Sequence, residues 1–316
     1  MTVDGGVTMM NARHDVPPEP ALERTYFMGC ATHYASIGRR ATARADMLPP
    51  APDRHILGQT SQFWGRIGSC PHARSDRTVG NALRDRTVVV VGRGSGIARA
   101  VALLARSEGA RVVVAGRDKP KLESAYAGRD IAAEVVDLTD DESIAALAAR
   151  VGAVDHVVST ASARARGKLA DLDRHQLRLS FDIKVIGPTM LAKHFAPQMK
   201  AGGSLVLFSG VHAFKHNVGY LGVGITNGAV DFLARWLAVE LAPVRVNAIS
   251  PGVIDSGAWD AFGDEGKRDY FNRIADGNPV GRIGTTDDIA GAVLFAMTNT
   301  FMTGVTLKVD GGEPLT

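Results

Sequence analysis

The sequence predicts an α/β fold: a doubly wound parallel sheet in a single domain, preceded by an N-terminal extension. Three observations predict it. Short runs of β-branched and small apolar residues alternate with stretches of helical composition from Arg86 to the end of the chain. The runs are apolar throughout, so their strands must be buried on both faces. The first run, Thr87-Val88-Val89-Val90-Val91, passes straight into the turn Gly92-Arg93-Gly94-Ser95-Gly96-Ile97 and then into a helix-forming stretch.

The elements follow in order. Residues 1–79 read as a poorly structured extension, and 80–316 as the folded domain. The extension has clustered prolines (Pro17, Pro18, Pro20, Pro49, Pro50, Pro52), scattered histidines without metal-ligand spacing, and no sustained periodicity. Its arginines suit a transit peptide, but Asp4, Asp15, Glu19 and Glu23 argue against one. A start of the natural chain at Val79, or an arm over the active site or an oligomer interface, are the other readings. Strand Thr87–Val91 leads to a helix closed by Gly109, the expected stop residue. Arg111–Ala115 is the second strand, with a helix through Tyr126, and Ile131–Val136 the third. Thr139-Asp140-Asp141-Glu142 opens a helix with the spacing of a capping box. Val154–Val158 is the fourth strand. A helical region covers Asp173 to Met199, with a break expected near Gly187-Pro188. Strand Ser204–Phe208, helix Gly222–Leu241, strand Val244–Ile249, helix Thr286–Met297 and strand Val305–Val309 complete the alternation.

Composition narrows the function. A net charge of +3 over 316 residues predicts neither a nucleic-acid surface nor a polybasic membrane patch. No apolar stretch approaches the roughly 18 residues of a spanning helix. The first residues lack a secretory signal, so the cytoplasm is the expected location. Cys30 and Cys70, the two cysteines, both fall in the extension, which leaves the domain without a thiol nucleophile; no metal site is expected.

The glycine turn points to chemistry. Glycines let the backbone approach a pyrophosphate, and the amides at the helix start face its charge. Strand, glycine turn and helix form the first unit of a Rossmann-type dinucleotide fold. From Arg86 to Thr316 the chain then resembles the short-chain dehydrogenase/reductase family. Gly92-Arg93-Gly94-Ser95-Gly96-Ile97-Ala98 is similar to its glycine motif, with Ala98 where a third Gly is usual. Asp137-Leu138-Thr139 is similar to the segment whose Asp holds the adenine amino group. Asn247 to Ser256, containing Pro251, Gly252 and Val253, is similar to the segment that binds the nicotinamide amide. Gly281-Arg282-Ile283-Gly284 and Thr303 to Gly312 match the C-terminal signature. The resemblance implies a nicotinamide cofactor, with Thr160, Ala161 and Asn227 also on the cofactor side. An NAD site places an acid at the end of the second strand, where this chain has Gly116. Arg117 follows, and Arg93 lies in the glycine loop. Both suit a 2′-phosphate, so NADP is expected over NAD.

The same resemblance exposes a gap. Family members use a Tyr as proton donor, a Lys four residues later to lower its pKa, a Ser on the substrate oxygen and an Asn in the proton relay. Here Val223 stands at the Tyr position, Asn227 at the Lys position, Gly210 at the Ser position and Lys184 at the Asn position. None of the five tyrosines has a Lys four residues on. Ser209, Tyr220, Lys184 and His212 are the replacement candidates, with Lys215 and His216 nearby. Three readings follow: hydride transfer on a small-molecule carbonyl or alcohol with displaced groups, a redox-inactive NADP-binding sensor or partner subunit, or a non-redox cyclase or dehydratase. The first is preferred, because the cofactor-facing blocks are largely kept. Trp259, Phe262, Tyr270 and Phe271 fall in the expected substrate cover and suit an apolar or planar substrate. The resemblance also implies a homodimer or homotetramer through helix Gly222–Leu241, provided Trp236 and Leu237 do not face the chain's own sheet.

Overall fold

The computed structural model describes residues 81–316. The expected extension, its prolines and both cysteines lie outside the described residues. Seven parallel strands form the main sheet: β1 (Thr87–Val91), β2 (Arg111–Gly116), β3 (Ala132–Val135), β4 (Val154–Ser159), β5 (Met199–Phe208), β6 (Arg245–Pro251) and, last in the chain, β9 (Thr306–Val309). Their order is β3-β2-β1-β4-β5-β6-β9. A two-stranded parallel ribbon joins β7 (Ile254–Asp255) to β8 (Gly284–Thr285).

Eight α-helices accompany the described strands: α1 (Gly96–Ser107), α2 (Lys119–Ala125), α3 (Asp141–Val151), α4 (Arg174–Phe181), α5 (Gly187–Phe195), α6 (Leu221–Glu240), α7 (Gly263–Gly277) and α8 (Thr286–Thr298). The unbroken valines of β1 are explained by its central place. Val88 and Val90 enter one apolar cluster with Val101 of α1 and Val293 of α8. Val89 and Val91 enter the other, with Leu147 of α3, Leu191 of α5 and Val230 of α6. Each such buried valine contributes roughly 1.5–3 kcal/mol relative to exposure. The sheet is thus covered on both faces, as expected.

Strand order reverses between β1 and β4. β1 feeds α1 on one side while β4 continues on the other, and a crevice opens where the two part. Thr160 sets its floor: its amide and hydroxyl both donate to the Val91 carbonyl, at 2.9 and 3.0 Å.

The region from Asp173 is interrupted near Gly187-Pro188, as expected, by one π-turn, Asp182–Ile186, and Pro188, which has no N–H to donate back into that turn, follows directly in α5. Two other local expectations are corrected. Thr139 is not the cap of α3. The Asp140 carboxylate accepts from the Glu142 amide, while the Thr139 hydroxyl donates to Asp137. A capping box does form at α8, where Thr285 and Asp288 satisfy each other's amides. The fifth strand begins five residues earlier than expected, at Met199 rather than Ser204, because Met199 already pairs with Val154 before the register shifts and Ser204 meets His156.

Candidate active site

Two adjoining clefts open at the carboxyl ends of the strands. The outer one, about 550 Å³, runs along the glycine turn to the ends of β2 and β3. The inner one, about 380 Å³, lies over β5, β6 and the start of α6.

In the outer cleft, Gly92 needs its missing side chain. A Cβ there would stand 2.2 Å from the Thr160 hydroxyl. The N-terminus of α1 is bare: Ser95 occupies the cap without a side-chain hydrogen bond, and the first turn has no acid. Of the other helices, α2, α3, α4 and α8 are capped by an Asp or Thr side chain, while α5, α6 and α7, like α1, are not. Uncapped amides beside a crevice suit an anion. Gly94 and Gly96 do not line the cleft as expected. Gly94 lets α2 approach, since a Cβ would meet that of Ala125 at 2.7 Å. Gly96 takes a left-handed backbone, φ 60°, under the Ser256 carbonyl.

Arg93 from the glycine turn and Arg117 after the end of β2 border the cleft, and neither forms an ion pair among the described residues. Asp118, the nearest acid to the end of β2, is spent capping α2 at the Lys121 amide. Asp137 accepts from the Thr139 amide and hydroxyl through one oxygen, leaving the other for a donor. Those two bonds hold its carboxyl below the usual carboxylate range. Ile97, Leu138, Thr160 and Ala161 fill the wall between. Amides for a pyrophosphate, cations for a further phosphate and a carboxylate for an amino group together fit a dinucleotide.

The inner cleft brings all four expected catalytic residues to one wall: Lys184, Ser209, His212 and Tyr220. Pro251, Gly252, Val253 and Asn227 border it too. Lys184 sits in the π-turn, 6% exposed. Its ammonium donates to the Ser209 carbonyl at 3.1 Å and to the Asn227 side-chain oxygen. Burial, with Arg164 adding repulsion, pushes Lys184 down to about 7. Gly210 belongs to the same arrangement, because a Cβ there would lie 2.8 Å from the Asn227 amide nitrogen. The glycine, the asparagine and the lysine therefore form one packed unit. Val223 is buried beside them and offers no polar atom.

The other candidates are more constrained than expected. The Ser209 hydroxyl donates to the Asn227 carbonyl at 2.8 Å, so its proton ties β5 to α6 and is not free for substrate. His212 lies 3.2 Å from the Lys215 carbonyl through Nδ1. A carbonyl only accepts, so Nδ1 carries the proton and Nε2 is left as an acceptor. Burial first, then Arg166, Arg164 and Lys215, hold this imidazole below its ordinary range, despite the Lys215 hydrogen bond. His212 is thus held toward its neutral form, and burial and the neighbouring cations oppose its taking up a proton. Tyr220 stacks on it, ring centroids 4.0 Å apart.

In the expected cover, Trp259 and Tyr270 reach the inner cleft, while Phe262 and Phe271 pack behind Tyr270. The Trp259 indole donates to the Ile254 carbonyl, which fixes its plane. Four wall residues were not foreseen: Arg164, Arg166, Arg273 and Glu313. The Arg-x-Arg spacing after β4 was a legible signal for two of them. The Glu313 carboxyl is buried, with one oxygen unpaired, and burial raises its pKa. Among the described residues no cluster of side chains could hold a metal ion, and no helix is long and apolar enough to cross a membrane.

A family profile described as Enoyl-(Acyl carrier protein) reductase matches residues 91–313. The chain is 28% identical to human dehydrogenase/reductase SDR family member 4, over 82% of this chain and 97% of that protein. A small-chain dehydrogenase solved in complex with NADPH superposes with a TM-score of 0.64 at 32% identity, covering 73% of this chain and 99% of the other. The MalC reductase/Diels-Alderase of Malbranchea aurantiaca superposes with a TM-score of 0.70 at 28% identity, covering 75% and 99%.

Proposed function

Because the chain belongs to the short-chain dehydrogenase/reductase superfamily, we propose that it is an NADP(H)-dependent oxidoreductase acting on a small-molecule carbonyl or alcohol through relocated proton machinery. One observation carries this reading: a buried ammonium, held by Asn227 and the Ser209 carbonyl, borders the cavity where proton transfer is needed.

Gly92, the bare start of α1, Arg93, Arg117 and Asp137 would hold the dinucleotide in the outer cleft, and the backbone of Pro251-Gly252-Val253 its nicotinamide end. When bound, it supplies the hydride that reaches, or leaves, the carbonyl carbon. Lys184 has two of its three N–H bonds occupied. The third is available to a substrate oxygen, or to a water between them. An amine with a pKa near 7 can give a proton and take it back at neutral pH. Asn227 and the Ser209 carbonyl fix the ammonium in place. His212, held toward its neutral form and stacked on Tyr220, offers Nε2 as a hydrogen-bond acceptor on the cavity lining. This reading predicts NADPH consumption with at least one member of a carbonyl panel. Coenzyme binding without any turnover across that panel would favour a sensor or partner subunit instead.

The helix α6 carries the assembly proposal. Leu237 is buried against the sheet, whereas Phe232 and Trp236 are each 57% exposed and Val239 76%. A row of large apolar side chains on one outer helix face suits a second copy of the chain. Light scattering on the native protein should read at least twice the chain mass, and Trp236→Glu should return it to one.

A further inference from the structure

Three guanidinium groups border the inner cleft: Arg164 and Arg166 from the loop after β4, and Arg273 from α7. Each lies over an aromatic ring. Arg166 stands 5.2 Å from the Tyr220 centroid and 5.5 Å from that of Trp259. Arg164 stands 5.9 Å from Trp259, and Arg273 5.5 Å from Tyr270. Stacking of this kind fixes a guanidinium plane while leaving its N–H edge for hydrogen bonds.

None of the three forms an ion pair or hydrogen bond among the described residues. Elsewhere in the domain Arg86, Arg106, Arg150, Arg235 and Arg282 each pair with a carboxylate, whereas others among the described residues, such as Arg99, Arg129 and Arg268, do not; what sets these three apart is that they gather on one cleft. Like charges gathered in a cleft repel one another, and Arg164 feels both Arg166 and Arg93. Glu313 is the single carboxyl on the wall, and it lies 4.0 Å from the Lys215 ammonium. Arg164 also borders the outer cleft and is shared with the dinucleotide, whereas Arg166 and Arg273 face the inner cavity alone. The cavity mouth therefore carries two exposed guanidinium groups, stacked on its aromatic side chains and without a carboxylate partner among the described residues.

The geometry points to a substrate that carries a carboxylate on an apolar body, with the carboxylate on Arg166 and Arg273 and the body along Val211, Val223 and Ile274 of the same cavity. A monoanion suits the site better than a phosphate, because the Glu313 carboxyl shares the wall and a dianion would meet it. The inference rests on the oxidoreductase reading for its chemistry but not for its binding.

The test separates the two. Phenylglyoxylate, its methyl ester and phenyl phosphate are titrated into the native chain, its Arg166→Gln and Arg273→Gln variants and the charge-conserving Arg166→Lys. Binding is read by quenching of tryptophan fluorescence, and NADPH oxidation is followed with the acid and the ester. The acid should bind about 10- to 100-fold more tightly than the ester, the scale of a charge-assisted hydrogen-bond pair. Either Gln variant should erase that preference without lowering the melting temperature, and Arg166→Lys should restore only part of it. Equal binding of acid and ester, tighter binding of phenyl phosphate, or an acid preference that survives both Gln variants overturns the inference. Preferred binding of the acid without NADPH oxidation upholds it and counts against the oxidoreductase reading. NADPH oxidation equal for acid and ester does the reverse.

Discussion

Lys184→Gln lowers the turnover of carbonyl reduction by about 10²- to 10⁴-fold, the loss expected on removing a positioned acid. It also removes the pH dependence near neutrality. With its pKa at about 7, the native lysine is protonated below that value and neutral above it. Reduction needs the protonated form, so kcat falls as pH rises through 7. Oxidation of the alcohol needs the neutral form, so its kcat rises over the same range. Lys184→Arg keeps a positive charge at every working pH and accepts no proton, so it restores neither rate nor pH profile.

The effect on folding runs the other way. In the unfolded chain the lysine binds its proton below pH 10.5, while the folded chain binds it only below about 7. As pH falls through that window the folded state loses stability, and below it the penalty stays at several kcal/mol. Lys184→Gln removes the penalty and keeps a donor for the Ser209 carbonyl, so the melting temperature at pH 7 stays level or rises. Native turnover in this variant would show that the ammonium is not the acid.

If Arg117 meets the 2′-phosphate as proposed, Arg117→Ala weakens NADPH binding by about 10- to 100-fold and leaves NADH binding nearly unchanged. The backbone makes this preference hard to invert at the usual place. A Cβ at Gly116 would stand 2.8 Å from the Gly92 carbonyl, so no acid fits at the end of β2 without shifting the glycine turn. Arg117→Asp, one residue on and exposed, should favour NADH instead. Titration calorimetry with both coenzymes reads both variants. Equal loss for NADPH and NADH in Arg117→Ala would place the arginine elsewhere on the dinucleotide.

Much of the fold was legible because its signals are local. The valines of β1 announced a strand buried on both sides, and the glycine turn announced the crevice. The exchange of lysine and asparagine at positions 184 and 227 was legible through the family resemblance. That the two side chains touch was not, since 43 residues separate them and only the packing of the π-turn on α6 unites them. The Thr139 cap failed because two side chains competed for it, and Asp140 stood one residue nearer. Arg273 and Glu313 were missed for a similar reason. Each looks like an ordinary surface charge until α7 and the chain end fold over the cleft. Gly94 and Gly96, expected beside the phosphates, also admit α2 and the Ser256 loop, a packing role that only the folded chain reveals.

The central claim is that the uncapped start of α1, with Arg93 and Arg117 beside it, receives the phosphates of NADPH. Calorimetric titration of the native chain with NADPH, and separately with NADH, tests it without any substrate. Saturable binding of one equivalent per chain, tighter for NADPH, is the expected result. A folded protein that takes up neither coenzyme would contradict the account.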